Sequence, residues 1–169
     1  MSNNGAPWAS LAARVVRVAM MRKDIGYAEL SRRLATIDVV EDERSLASRV
    51  AIGRVRLAMF LQMIHVLGSE IPSDWQCSFR EASGWEDCAA RVVAAERAQI
   101  PPMSTEKLAV GIGNIGAGFK VQTLMSHLDK GNITLSDFLR CLVVLRSHSL
   151  DDFIDYRDLV AAAELVLSE

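Results

Sequence analysis

Three glycines in the stretch GIGNIGAG, residues 111–118, have the spacing of a phosphate-binding loop. Gly111, Gly113 and Gly116 spell G-x-G-x-x-G, a motif in which backbone amides at the start of a helix contact a dinucleotide pyrophosphate. That loop follows a buried strand, whereas residues 104–110 have the pattern of a capped helix. We therefore expect these glycines to form the turn between two helices, and a nucleotide-binding role would rest on them alone.

The residue types that usually act in catalysis or metal binding do not form a pattern that favours either. The three histidines are not at metal-ligand spacing, and the three cysteines include no C-x-x-C pair. Cys88 and Cys141 fall at positions of apolar type, where a cysteine behaves as a small apolar side chain. We predict that the protein is not an enzyme and that it holds no cofactor and no metal.

Charge is distributed unevenly along the chain. Residues 1–72 contain 10 Lys and Arg against 7 Asp and Glu, which gives +3, and residues 73–169 contain 9 against 14, which gives −5; the sum is the net charge of −2. The front half is therefore the better candidate to meet a polyanion. The start of the chain lacks a charged-then-apolar signal pattern, and no apolar run reaches the ~20 residues of a membrane span, so we expect a cytoplasmic protein without a membrane partner.

The sequence repeats itself. The run WASLAARVV at residues 8–16 returns 77 residues later as WEDCAARVV, and after one added residue near Pro101 the offset becomes 78. The matching positions are mostly apolar, together with one glycine, Gly53 paired with Gly131. Such positions determine a fold, so we predict two copies of one unit. The predicted segments are a first copy at 7–71, a linker at 72–83, a second, degenerate copy at 84–149 and a C-terminal helix at 150–169.

Apolar residues within both copies recur at helical spacing, which predicts an all-α protein of two tandem four-helix bundles. The predicted helices are 8–22, 27–36, 42–51 and 57–67 in the first copy, and 85–99, 104–112, 119–129 and 135–146 in the second. The tail also has an amphipathic helical pattern over 153–167. We expect it to dock on its own chain, with a homodimer contact or a protein partner as the alternatives.

Three stretches of the first copy carry a family resemblance. They are YAELSRRL at 27–34, SLASRV at 45–50 followed by Gly53 and Arg54, and the apolar positions of the last helix, Phe60 to Leu67. In this order they resemble the lambda-repressor/Cro-like (XRE-type) helix-turn-helix domain, although the turn is longer here than is usual in that family. The second copy resembles it more faintly.

The resemblance implies a DNA-binding helix at the third position of the first copy. It places Arg44, Ser45, Ser48 and Arg49 on the recognition helix and Arg54 and Arg56 just beyond it, where the family touches phosphates. Arginine suits guanine edges and phosphates, and serine suits either base of a pair. The acidic run at 41–43 opposes this assignment, because it precedes the helix end that enters the groove.

The second copy lacks most of these arginines. Gln122, His127 and Asn132 stand where the first copy has Arg44, Arg49 and Arg54, while Lys120 and Lys130 remain. We expect this copy to pack, to bind a protein partner or to support the first copy.

The function predicted from these observations is that of a transcriptional regulator of a bacterium or mobile element that binds double-stranded DNA. The alternative is a protein-interaction adaptor or antiactivator built on a repurposed helix-turn-helix fold, with the second copy or the C-terminal helix holding the partner.

Overall fold

The computed structural model describes residues 5–168, which form ten α-helices and one 3-10 turn. The predicted all-α class is confirmed. None of the described helices combines the length and the apolar character needed to cross a bilayer. In chain order the helices are α1 (Ala6–Met21), α2 (Tyr27–Ala35), α3 (Glu43–Ala51), α4 (Leu57–Leu67), α5 (Gln76–Glu81), α6 (Trp85–Arg97), α7 (Thr105–Asn114), α8 (Val121–Lys130), α9 (Leu135–Val144) and α10 (Tyr156–Leu167), with the 3-10 turn at Ser73–Trp75.

Polar side chains cap the first turns of four helices. Asp42, Ser104, Thr134 and Asp155 each accept a hydrogen bond from a backbone N–H in the turn that follows. These bonds satisfy N–H groups that have no partner within the helix. The caps fix where α3, α7, α9 and α10 begin.

The two predicted copies contribute four helices each, in the same order, and pack reciprocally. Helix α1 packs against α9, the last helix of the second copy, and α6, the counterpart of α1, packs against α4. The buried side chains of both copies belong to one continuous core. A contact that recurs with the partners exchanged is typical of two units related by a two-fold axis.

The backbones of the two copies meet directly at the middle of this arrangement. The amide of Leu57 donates to the carbonyl of Ile133 at 3.0 Å, and the amide of Leu135 donates to the carbonyl of Val55 at 2.8 Å. Arg56 and Thr134 lie between these bonds as an isolated antiparallel bridge. At the offset of 78, Leu57 corresponds to Leu135 and Val55 to Ile133, so exchanging the two copies turns one hydrogen bond into the other, as expected for a contact on a two-fold axis.

The repeated glycine makes the same close contact in both copies. Gly53 has φ +71° and Gly131 has φ +73°, a left-handed conformation that side chains rarely adopt. A Cβ on Gly53 would lie 2.6 Å from the carbonyl oxygen of Ala9, and a Cβ on Gly131 would meet the carbonyl oxygen of Glu86. In each copy the third helix therefore ends against the backbone of the first helix.

The segment between the copies is a folded part of the core. Residues 73–81 form the 3-10 turn and α5, and Trp75 is fully buried. Its ring lies 5.8 Å from that of Phe138, and its Nε1 donates to the carboxylate of Glu96 at 2.8 Å. The sequence predicted only a linker here, because the segment is too short to show a helical period.

The tail docks on its own chain. Helix α10 begins at Tyr156, three residues later than the start predicted at 153, because Phe153 and Ile154 are buried in the preceding turn. Leu159 is buried on the inner face of α10, and Arg14 on α1 pairs with Asp158 at 2.7 Å. The helix therefore contacts both copies through α1 and α9.

A buried ion pair lies at the contact between α1 and α9. Arg140 donates to Asp137 at 2.6 Å, with both side chains about 5% exposed (6% and 5%), and to the carbonyl oxygen of Gly116 at 3.2 Å. Its guanidinium lies 4.9 Å from the ring centroid of Trp8. Burial lowers the pKa of Arg140, and the charge of Asp137 opposes that shift.

Candidate nucleic-acid interface

Helix α3 is held in place by two apolar residues and presents its polar side chains outward. Leu46 and Val50, one turn apart, are fully buried. They anchor the helix against α1 and α2. The exposed side chains include Arg44, Ser45, Ser48 and Arg49, as predicted for a recognition helix.

Five of the six predicted interface residues line one shallow depression. They are Arg44, Ser45, Ser48, Arg49 and Arg54, joined by Glu41 and Ile52. We call these seven residues the α3 surface. Arg56 is exposed but lies beside it, at the bridge to Thr134. The structure thus brings together the four predicted residues of α3 and Arg54, which lies in the loop after it.

Most of the arginines in the α3 surface and beside it are available for a ligand. In the part of the chain that the structure describes, Arg44, Arg54 and Arg56 form no ion pair. Arg49 is the exception, because its Nε donates to Glu41 at 2.8 Å. A group of exposed, unpaired guanidinium groups favours an anionic ligand.

The acidic run before α3 has three separate roles. Glu41 is only 13% exposed and pairs with Arg49. Asp42 caps the helix by accepting from the amide of Ser45 at 2.8 Å, and that hydrogen bond lowers the pKa of Asp42. Glu43 is exposed in the first turn, where a negative charge suits the helix dipole. Two of the three carboxylates are therefore engaged by protein groups.

Sequence reasoning missed the pairing of Glu41 with Arg49. The two residues are eight positions apart, with a loop and a helix start between them, so no helical spacing connects them. In the structure, the second copy shows the same two positions in contact. Phe119 and His127 stand at the equivalent positions, and their rings lie 4.9 Å apart.

The matching surface of the second copy has a different chemistry. Gln122 is exposed and His127 is half-buried in its contact with Phe119, which itself remains 46% exposed. Lys120 and Lys130, the basic residues that remain, are at the two ends of α8. This surface combines an exposed aromatic ring with little positive charge.

The glycine-rich stretch forms the expected inter-helix turn only in part. Gly111 and Gly113 lie inside α7, and within the motif only Gly116, with φ +98°, has a positive φ. A Cβ on Gly111 would lie 2.7 Å from Val144 of α9, so this glycine permits close packing of two helices. The motif belongs to a helix and its C-terminal turn, without the preceding strand of a dinucleotide site.

The remaining residues of catalytic or metal-binding type are dispersed. Cys88 and Cys141 are buried, as predicted. Burial raises the pKa of the Cys88 thiol to about 11, and it also raises the pKa of the Cys141 thiol well above its usual range. Cys77 is exposed. The described residues contain no group of three or more His, Cys, Asp or Glu arranged to hold a metal ion.

Comparison with known proteins places part of the chain in context. Residues 8–71 match the model of a family described as a domain of unknown function, DUF6471. The matched range starts one residue inside the predicted first copy and ends with it, and it contains the whole α3 surface. No curated protein and no solved structure shows significant similarity to the chain. Residues 8–71 are therefore similar to a family whose description assigns no function.

Proposed function

We propose that the protein is a DNA-binding transcriptional regulator that places α3 in the major groove of double-stranded DNA. The observation that carries this proposal is the α3 surface, where an exposed helix face and the loop after it present arginines together. Arg44 and Arg49 lie on the helix, and Arg54 and Arg56 lie at its C-terminal end. Arginines on a groove-entering helix contact bases, and those on the flanking loop contact phosphates.

The resemblance to the XRE-type helix-turn-helix domain supports this role. Helices α2 and α3 have the order of the family's paired helices, and Leu30, Leu34 and Leu46 are buried as that pairing requires. The connection between the helices runs from residue 36 to residue 42, which is longer than the usual turn.

The salt dependence of DNA binding tests the proposal. In a titration of random-sequence duplex, we expect the affinity of the full chain to fall steeply between about 50 and about 200 mM salt. Arg54→Ala with Arg56→Ala removes two predicted phosphate contacts, and should reduce the slope of log K against log salt by about 0.9 for each contact.

The control for that variant has the same change in charge at another place. Arg80 on α5 and Arg157 on α10 are exposed and lie outside the α3 surface. Arg80→Ala with Arg157→Ala should keep the wild-type slope. Equal loss in both double variants would mean that binding follows total charge and that the α3 surface has no special role.

A protein-interaction adaptor or antiactivator is the second candidate function. The exposed ring of Phe119 favours it, because aromatic side chains are enriched at protein interfaces. This role predicts no DNA binding at micromolar protein, together with capture of a partner that Phe119→Ser abolishes.

A further inference from the structure

Glu41 places a carboxylate within a surface that is otherwise rich in arginine. Resting on the proposed DNA-binding function, we infer that Glu41 is a positioning residue that prepares Arg49 to read a guanine base.

Glu41 is fixed at its backbone and at its side chain. The hydroxyl of Ser31 on α2 donates to the carbonyl oxygen of Glu41 at 2.5 Å, which ties the loop to the preceding helix. The Glu41 side chain is only 13% exposed. Its carboxylate is therefore a stationary acceptor for Arg49, not a mobile surface group.

Glu41 engages the one edge of Arg49 that a base does not need. The Glu41 carboxylate accepts from Nε at 2.8 Å, and the two terminal amino groups of Arg49 have no hydrogen-bond partner in the described part of the chain. Those terminal groups are the fork that binds O6 and N7 of guanine. The Arg49 side chain is 46% exposed, so the fork is accessible and already oriented. Pre-orientation reduces the conformational entropy that binding would otherwise cost.

The charge of Glu41 disfavours contacts that do not use this fork. A carboxylate close to phosphates is repelled, which weakens binding to every DNA sequence to a similar extent. An oriented arginine recovers affinity only where a guanine meets it. Specificity is such a difference between affinities, and a repulsive element commonly contributes to it.

The equivalent pair in the second copy shows that the two positions meet as a feature of the fold. Phe119 and His127 contact each other at a centroid distance of 4.9 Å, at the offset of 78 from Glu41 and Arg49. In that copy neither position supplies a guanidinium. The arginine that we infer to read guanine is therefore a feature of the first copy and has no counterpart at the equivalent position of the second.

Selection of bound sequences from a random duplex pool, using the full chain, tests the inference. Wild type should select a G·C pair that Arg49→Ala no longer selects. Glu41→Gln keeps an acceptor oxygen but removes the charge, so it should reduce the preference for that base pair by about tenfold while binding to random DNA stays equal or becomes stronger.

Glu43→Gln is the matched control, since Glu43 is an exposed acid in the first turn of α3 and forms no ion pair with an arginine among residues 5–168. It should strengthen binding to all sequences and keep the guanine preference. The inference is overturned if Glu41→Gln behaves like Glu43→Gln, or if Arg49→Ala loses no base preference; DNA binding itself would then still stand. If wild type binds no DNA while its helical circular dichroism is intact, the proposed function fails, and this inference fails with it.

Discussion

Helices α3 and α8 occupy equivalent positions in the two copies but have different exposed side chains. Each anchors itself with a pair of buried residues and ends at a left-handed glycine, namely Gly53 or Gly131. The outer positions differ, since the first copy has Glu41 and Arg49 where the second has Phe119 and His127. The fold therefore brings the side chains of these two positions into contact in both copies, while the chemistry of that contact differs between them.

The largest expected effect concerns a feature that both copies share, the left-handed glycine after the third helix. Gly131→Ala forces a side chain into a left-handed conformation and against the backbone of Glu86, so we expect it to lower the free energy of unfolding by about 4 kcal/mol. Gly53→Ala should cost a similar amount, because its Cβ would meet Ala9. Urea denaturation at neutral pH measures both values.

Gly68 supplies the control for the glycine prediction. It also has a positive φ, +67°, but its Cβ would meet nothing within 4 Å. Gly68→Ala should therefore cost only about 1 kcal/mol, which reflects the backbone conformation alone. If Gly131→Ala were no worse than Gly68→Ala, the close approach of the first and third helices would not be a requirement of the repeated unit.

The next effect concerns a buried difference between the copies. Asp137 and Arg140 correspond to Met59 and Gln62 in the first copy. Asp137→Met leaves the guanidinium of Arg140 buried without its counter-ion, which should cost about 3 kcal/mol. Adding Arg140→Gln removes that stranded charge, so the double variant should recover at least half of the loss, measured by the same denaturation.

Failure of the double variant to recover stability would show that the two copies are not interchangeable at this contact. The donation from Arg140 to Gly116 and its contact with Trp8 would then matter more than the ion pair itself.

The smallest effect concerns the surface of α2. Arg32 and Arg33 donate to Glu29 and lower the pKa of its carboxyl from 4.5 to about 2. Because the shift is downward, the stabilisation is present above about pH 4.5 and is lost as the pH falls toward 2. Lys107 stands at the equivalent position of α7. A carboxyl NMR titration should show the low pKa of Glu29, and Arg32→Ala with Arg33→Ala should raise it; an unchanged value would contradict the cause assigned here.

The fold was largely predictable from sequence because apolar spacing and turn residues report helices directly. The ends of α2 and α4 were predicted to within one residue. The connection through Trp75 was not predicted, since burial of a single aromatic residue depends on its distant partners Phe138 and Glu96. The one shared core also depends on contacts between α1 and α9, which no local pattern reveals.

The members of the α3 surface were partly predictable. Apolar spacing at Leu46 and Val50 predicted the helix, and the resemblance to the XRE-type domain assigned Arg44, Ser45, Ser48 and Arg49 to it. Glu41 was grouped with Asp42 and Glu43 as a repelling charge, because a sequence gives no distance between a loop carboxylate and a helix side chain. Its pairing with Arg49 becomes visible only with coordinates.

Replacing exposed residues of the first copy by their counterparts in the second copy tests the central claim, that the α3 surface binds DNA. The variant Arg44→Gln, Arg49→His, Arg54→Asn gives α3 the chemistry of α8 and changes only exposed positions. In a fluorescence anisotropy titration with labelled duplex at low salt, wild type should bind with a steep salt dependence. We expect the exchanged variant to lose most of this binding. Its unfolding free energy should stay within about 1 kcal/mol of wild type, because the main loss is the pairing of Glu41 with Arg49. A folded variant that binds duplex as tightly as wild type would contradict the claim.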